Sequence, residues 1–365
     1  MVNADIPHLL ALHAIPYMGS RTLCALLKRY RDPVLTWESY REWSSLPIFR
    51  REFPATLISG RETIEPEEIY EKFLASGARL TTVFDEDFPK KLKNICDPPV
   101  ILFYKGDISI VQGICVAMIG SRRSTAYGTA VGEMLSQEVA AKGICVVSGM
   151  ARGIDTVCHD GAMKAGGKTV AVLGSGVDVI YPRENAKIYQ RICEAGAVIS
   201  EQPLGAPPEA KNFPMRNRII SGLSEGIVVI EAGENSGTLI TAGYAADQNR
   251  DLFAIPGPII SANSKGTNEL IRQGCKIVTS ARDIWSEYIK ETTSALPLLK
   301  TDPHANLSEE ERDLLRLLIL PVHFDQLVAH LGINAAQLAT RLTIWEMDGI
   351  VKQLPGKYYV SNINQ

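Results

Sequence analysis

The fold of this chain is decided by residues 115–155, which read CVAMIGSRRSTAYGTAVGEMLSQEVAAKGICVVSGMARGID. Two continuous apolar runs, Cys115–Ile119 and Ile144–Ser148, have the length of strands, and the segment 127–142 between them has a helical pattern. A helical crossover brings the second strand back in the direction of the first, so the two strands form a parallel pair. Strands that are apolar along their whole length are typical of a parallel sheet covered on both faces.

The same alternation continues along the chain. Further strand-like runs, with helical segments between them, lie at 169–173, 197–200, 227–230 and 252–255, and two earlier runs at 79–84 and 100–104 are rich in β-branched and aromatic residues. This pattern predicts an α/β fold with an extended Rossmann-like parallel-sheet core, in a domain that spans residues 76–290.

Both flanks of this core have a different pattern. Residues 1–75 predict a helical domain, in which Ile15-Pro-Tyr-Met-Gly19 fits either the hairpin of a helix-hairpin-helix module or a tight turn in a helix bundle. Residues 291–306 predict a linker, and residues 307–365 predict three helices and a β-hairpin, as in a winged-helix domain. Its expected recognition helix, 335–347, carries one cation, which favours contact with another protein or a structural role over major-groove readout.

Composition and charge exclude several classes of protein. The chain has 45% apolar and 22% charged residues and a net charge of −3, so it is globular and has no overall basic field. No apolar run approaches the roughly 18 residues of a membrane span. The first residues lack a basic segment followed by a long apolar one, so we expect no secretion. Seven cysteines without paired spacing indicate reduced thiols, so we expect a cytoplasmic protein. No cluster of His, Cys and Asp has the spacing of metal ligands, and we expect neither a metal nor a cofactor.

The loops that follow the strands carry the candidate site, because ligands of an open parallel sheet bind beyond the carboxyl ends of its strands. Four of five such loops contain arginine or lysine, and several have glycines that admit a phosphate or helix starts rich in donors. We therefore expect a phosphate or polyanion there. The candidate residues are Gly120, Ser121, Arg122, Gly149, Arg152, Gly174, Gly176, Arg183, Lys211, Phe213, Arg216, Arg218, Ser236, Gly237 and Thr238.

The segment from Lys211 to Arg218 is the most specific of these loops. An aromatic ring, Phe213, among three cations suits base stacking beside phosphate contacts on a single strand. The alternative is that Phe213 fills the core beneath a basic helix start. The segment 161–169 resembles a P-loop, and the segment 222–226 resembles a hydrolase nucleophile elbow. Both motifs normally follow a strand and lead into a helix, whereas each of these segments precedes a strand.

An ordered set of motifs resembles the signature of the DNA-processing protein A family (DprA, also called Smf). The motifs are Gly120-Ser-Arg122, Ser148–Asp155, Tyr181-Pro182, Phe213-Pro-Met-Arg-Asn-Arg218, Ser236–Ala242, 250–257 and 266–274. The resemblance implies a bacterial cytoplasmic protein that is not an enzyme and forms a homodimer through its Rossmann-like domain. Its N-terminal domain would be similar to a sterile alpha motif, and its winged helix is an optional part of the family.

The resemblance also implies a function and a set of contacts. Such a protein binds and protects the single-stranded DNA taken up in natural transformation and loads RecA onto it, as a recombination mediator. The DNA contacts implied are Arg122, Lys211, Phe213 and Arg183, and Arg216 and Arg218 are further contacts or ion pairs that shape the loop.

Two other functions remain open from the residues alone. One is a nucleotide-processing enzyme of a related Rossmann-like fold, which would hold a phosphate at the loop 233–238 but lacks a catalytic set beyond Glu231. The other is a scaffold that contacts other proteins through the winged helix.

Overall fold

A computed structural model describes residues 6–46, 53–234, 236–289, 315, 317–318, 321–347, 350–354 and 356–361. The chain forms two compact units, residues 1–291 and 292–365. In the described part, no helix is long and apolar enough to cross a membrane.

The first unit begins with helices, as the sequence predicts: α1 Ile6–Ala14, α2 Ser20–Tyr30, α3 Pro33–Glu38, α4 Phe53–Arg61 and α5 Pro66–Ser76, with a 3-10 turn at Ser39–Ser45. Local signals set their ends. Asp32 caps α3 by accepting the amide of Leu35 at 2.8 Å, and Pro33 supplies a first helical residue whose missing N–H costs nothing. Gly77 ends α5 in the left-handed conformation, with φ of +65°.

Nine strands form the central sheet: β1 Arg79–Thr82, β2 Ile101–Gly106, β3 Cys115–Gly120, β4 Cys145–Ser148, β5 Thr169–Leu173, β6 Ala197–Ser200, β7 Gly226–Glu231, β8 Asp251–Ala254 and β9 Lys276–Ile277. Their order is β1-β2-β6-β5-β4-β3-β7-β8-β9. The seven strands from β6 to β9 are parallel, which confirms the predicted core.

The sequence predicted strands near residues 79–84 and 100–104 but not their direction, and the structure supplies it. Strand β2 pairs antiparallel with both β1 and β6, so the sheet is mixed at one edge. Strand β9 was not predicted, because it has two residues, both of them exposed, and so has no apolar run to reveal it.

Helices cover both faces of the sheet: α6 Lys90–Lys93, α7 Ala126–Ala141, α8 Ile154–Lys164, α9 Ala186–Ala195, α10 Asn212–Leu223, α11 Thr238–Asp247, α12 Lys265–Arg272 and α13 Arg282–Trp285. Because side chains alternate along a strand, Ala117 and Ile119 of β3 lie in one hydrophobic cluster, and Val116 and Met118 lie in the other. The first cluster also contains the buried leucines of α1 and α2. The N-terminal helices therefore share a core with the sheet, and the domain boundary at residue 75 stays a prediction.

The second unit contains β10 Val322–His323, α14 Phe324–Leu331, α15 Ala335–Met347, β11 Val351–Leu354 and β12 Tyr358–Ser361. The three strands form an antiparallel sheet in the order β10-β12-β11, packed over a core that includes Leu338, Leu342 and Trp345. Two helices and a hairpin agree with the predicted winged helix. The predicted linker and the first predicted helix of this domain lie outside the described residues.

Candidate nucleic-acid interface

A cleft of about 890 Å³ opens at the carboxyl ends of β3 and β7. The chain leaves β3 towards β4 on one side and leaves β7 towards β8 on the other, so the loops after these adjacent strands diverge. Such a reversal of strand order is where doubly wound sheets place their ligands. The cleft lies between the loop after β3, the start of α10 and the start of α11.

Two arginines line this cleft from the loop after β3. Arg122 and Arg123 are both exposed, and among the described residues neither guanidinium has a carboxylate partner. The loop itself is fixed: Ser121 Oγ accepts the amide of Arg123 at 3.1 Å, and Asn263 Nδ2 donates to the Arg123 carbonyl at 2.8 Å. Two uncompensated positive charges are therefore held on a rigid rim.

Gly120 lets this loop begin so close to α8. A Cβ at Gly120 would lie 2.7 Å from the side chain of the buried Ile154. Any other residue would push the loop away from the sheet and would move the two arginines with it.

An aromatic centre lies beside the arginines. Phe213, in the first turn of α10, is half-buried, and its ring centroid lies 5.3 Å from Arg122 Cζ and 5.7 Å from the ring centroid of Tyr181. A Cβ at Gly174 would come within 3.2 Å of the Phe213 ring, so the ring packs against that glycine. Phe213 thus has a packing role, and it also lines the cleft beside the exposed Tyr181. A base could stack there.

Arg216 forms part of the cleft wall but acts within the protein. It is only 5% exposed, and its Nη1 donates to the carbonyl oxygens of Gly149, at 2.7 Å, and Val172. Burial lowers the pKa of Arg216 to about 10, and the nearby carboxylate of Asp155 partly offsets this effect. Arg216 therefore ties together the ends of β4 and β5 beneath the cleft.

The loop after β4 has its own internal partner. Asp155 Oδ2 accepts the amides of Gly149 and Ala151, each at 3.2 Å. Burial raises the pKa of this carboxyl, against the opposing charge of Arg216. The amides of Gly149 and Ala151 thus already have an acceptor within the protein, and the predicted phosphate contact of this loop stays a prediction.

Arg218 is placed away from the cleft. It is 6% exposed and donates to both carboxylate oxygens of Glu201 at 2.6 and 2.7 Å, with Asp97 at 3.5 Å. Ser20 at the start of α2 also donates to Glu201. This environment favours the ion-pair alternative for Arg218, which joins α10 to the end of β6 and to the N-terminal helices.

Some of the remaining candidate residues line the cleft, and the others lie outside it. Ser236, Gly237 and Thr238 line the cleft at the start of α11, where the Thr238 amide donates to Ser236 Oγ at 3.2 Å. Outside the cleft lining, Lys211 is exposed and pairs with Glu209 at 2.7 Å, and Arg152 pairs with Glu184. Arg183 is exposed and does not line the cleft either. The two glycines Gly174 and Gly176 are also absent from the cleft lining, and each allows close packing.

Sequence reasoning missed several residues that line the cleft. Arg123 was missed although it follows Arg122 directly, and that adjacency was the available signal. Tyr181 belonged to a quoted motif but was not selected as a site residue. Asn263 lies in a 3-10 turn before α12, and nothing local in the sequence places it beside the loop after β3.

The carboxylate on which the nucleotide-enzyme alternative depended is engaged elsewhere. Glu231 is 2% exposed, and it accepts the amide of Thr125 at 3.0 Å and also the Thr125 hydroxyl, at the start of α7. It is absent from the residues that line the cleft. Nor do the described residues contain a group of three or more His, Cys, Asp or Glu side chains that could hold a metal ion.

Comparison with known families gives two matches. A family model described as DNA recombination-mediator protein A matches residues 79–289, and one described as the DprA winged helix domain matches residues 299–357. The first model covers the whole nine-stranded sheet and every residue that lines the cleft. The second model covers the described part of the second unit as far as residue 357.

Individual relatives agree with these matches. The chain is 40% identical to the DNA processing protein DprA of Bacillus subtilis, over 61% of this chain and 78% of the relative. It is 36% identical to the protein Smf of Escherichia coli, over 75% of each chain.

Two solved structures are also similar. One is DNA processing protein A from Streptococcus pneumoniae, with a TM-score of 0.67, 33% identity, and coverage of 77% of this chain and 96% of that one. The other is DNA processing protein A from Helicobacter pylori, with a TM-score of 0.53, 30% identity, and coverage of 58% and 96%. The Helicobacter pylori protein is described as having a unique single-stranded DNA binding mode.

Proposed function

This chain belongs to the DNA recombination-mediator protein A family, and on that premise we propose that it binds single-stranded DNA in the cleft at the ends of β3 and β7. It then acts as a mediator, not as an enzyme: it protects DNA taken up in natural transformation and loads RecA onto it. Its partners are RecA and a second copy of itself, bound through the Rossmann-like domain, and its compartment is the cytoplasm.

One observation carries the proposed binding site: the guanidinium of Arg122 lies over the half-buried ring of Phe213, at the edge of a cleft of about 890 Å³. Unneutralised cations attract the phosphate backbone, and an accessible ring stacks a base of any sequence. Arg123, Tyr181 and the hydroxyls of Ser236 and Thr238 add a cation, a ring and donors within the same cleft.

The related protein from Helicobacter pylori supports the choice of ligand, because single-stranded DNA is the ligand named for it. The low net charge of −3 further favours a focused site over a broad basic surface. Few phosphates would then be neutralised, so the salt dependence should be moderate. Each phosphate contact on a single strand adds about 0.7 to the steepness of log affinity plotted against log salt.

Fluorescence anisotropy of a labelled thymidine oligonucleotide, measured at two salt concentrations, tests the binding step. We expect salt-sensitive binding that unlabelled duplex displaces poorly and that mononucleotide does not displace. Displacement by mononucleotide at micromolar concentration would instead support the nucleotide-enzyme alternative. Failure to bind any oligonucleotide would contradict the proposed function.

A second experiment tests the mediator step. ATP hydrolysis by RecA is followed on single-stranded DNA that has been coated with a single-strand-binding protein. We expect this protein to shorten the lag before hydrolysis begins, and the Arg122→Ala variant to shorten it less. If the protein binds the oligonucleotide but does not change the lag, it binds DNA without loading RecA.

A further inference from the structure

The loop between α1 and α2 exposes an aromatic residue, Tyr17. Ile15 and Met18 in this loop are buried, at 2% and 8% exposure, whereas Tyr17 between them is 72% exposed. The backbone of Tyr17 has φ of +66°, a conformation that bulky residues seldom adopt. Among the described residues, the Tyr17 ring has no hydrogen-bond or ring partner, so the core does not account for an aromatic residue at this position.

Contacts on both sides fix the position of this loop. On one side, Ser20 donates to the buried Glu201 at the end of β6. On the other, a Cβ at Gly60 of α4 would lie 2.9 Å from Pro16 Cδ, so α4 packs closely on the loop. The last turn of α1 also borders the same cavity, of about 400 Å³, as residues 203–205 of the segment that leads into α10.

That segment ends at Lys211, directly before the first turn of α10. The salt bridge to Glu209 raises the pKa of Lys211, and the nearby phenol of Tyr17 adds to the increase. Lys211 is therefore near Tyr17 of the N-terminal helices and two residues before Phe213, which lines the cleft. A single strand alternates a charged backbone with flat bases, and grooves that follow such strands combine cations with stacking rings.

We propose that Tyr17 is a base-stacking residue that extends the path of single-stranded DNA from the cleft onto the N-terminal helices, with Lys211 contacting the backbone between Tyr17 and Phe213. This inference rests on the proposed function. It also gives the motif Ile15-Pro-Tyr-Met-Gly19 a role different from that of a helix-hairpin-helix module. The first residue of α2, Ser20, is already bonded to Glu201, and the exposed ring is what the loop offers to a ligand.

The test compares thymidine oligonucleotides of about five and about twenty residues, which bracket the site sizes of single-strand binding folds. On the proposed path, the short strand fills the cleft alone and the long strand also reaches Tyr17. We expect Tyr17→Ala to weaken binding of the long strand about tenfold, within the effect of one lost stacked base, and to leave the short strand unchanged. Tyr17→Phe keeps the ring and should bind both strands as the wild type does.

Leu74→Ala is the matched control, because Leu74 is 59% exposed on α5 in the same helical region. It should bind both strands normally. The inference is overturned if Tyr17→Ala binds the long strand as tightly as the wild type, or if it weakens both strands equally. If the wild type binds neither strand, the proposed function itself is wrong.

Discussion

Arg122 Cζ lies 5.3 Å from the centroid of the Phe213 ring, although Arg122 follows β3 and Phe213 lies in the first turn of α10. The fold thus joins two distant loops into a surface that presents a positive charge and a π face together. These are the features that hold the backbone and the bases of a single strand. Because they are different interactions, their removal should have distinguishable effects.

Arg122→Ala should weaken oligonucleotide binding by about 1–3 kcal/mol, as expected for a lost charge-assisted contact. The slope of log affinity against log salt should also become shallower by about 0.7. Anisotropy titrations over a range of salt concentrations measure both quantities. Arg152→Ala is the control, because Arg152 is an exposed arginine that pairs with Glu184 and does not line the cleft. An equal loss in both variants would mean that general charge, not the cleft, governs binding.

Phe213→Ala should weaken binding by about 1–3 kcal/mol through lost stacking, with an unchanged salt slope because no charge is removed. Phe213→Tyr keeps a ring and should retain most of the affinity. Since Phe213 also packs against Gly174 and Tyr181, thermal unfolding must be measured alongside. A variant that unfolds more easily but binds normally when folded would show that the ring only packs.

Arg218→Met should reduce the free energy of unfolding by about 3–5 kcal/mol, because it leaves the Glu201 carboxylate buried without its cation. The double variant Arg218→Met, Glu201→Gln removes both charges and should be more stable than Arg218→Met alone. Urea unfolding of the wild type, both single variants and the double variant completes the cycle. If the two effects simply add, the ion pair is not the reason for the burial of Arg218.

Acid should destabilise the first unit through two buried histidines. Burial lowers the pKa of His13 to about 4 and that of His159 to about 3, from an ordinary value of 6.5. Below pH 6.5 the unfolded chain takes up protons that the native state refuses, so stability is lost as the pH falls from 6.5 towards 4. Each histidine contributes at most about 1.4 kcal/mol per pH unit.

Variants separate this effect from the titration of carboxylates. His159→Gln should flatten the dependence of unfolding free energy on pH between 6.5 and 4. Identical slopes for His159→Gln and the wild type would show that the histidine is not a source of acid sensitivity.

The sequence was sufficient for the parallel core because each buried strand is an uninterrupted apolar run, as in Ile227–Ile230. It was insufficient for the edges. Nothing in residues 101–106 indicates their direction relative to β6, which depends on the path of the preceding chain. The helical N-terminus was predicted from its periodicity, but its shared core with the sheet was not, because that contact involves residues far apart in sequence.

The sequence also could not show which arginines of the candidate site are paired with a carboxylate. Arg122 and Arg218 are both arginines in loops or helix starts at the same edge of the sheet, and the sequence treats them alike. Glu201, brought from the end of β6, neutralises Arg218, whereas no described carboxylate reaches Arg122. Arg152 likewise finds Glu184 only after folding. Which cations stay free for a ligand is therefore a property of the tertiary structure.

Phe103 of β2 is 1% exposed, and its ring lies 5.6 Å from that of His13 in α1 and 6.3 Å from that of Phe73 in α5. A chain shortened to begin at β1 would lose both partners and would uncover this ring, with Ile101 on the same face of β2. Contiguous exposed apolar surface promotes self-association. Shortened forms would thus tend to precipitate, and clusters that they form would be artefacts of truncation, easily mistaken for native dimers.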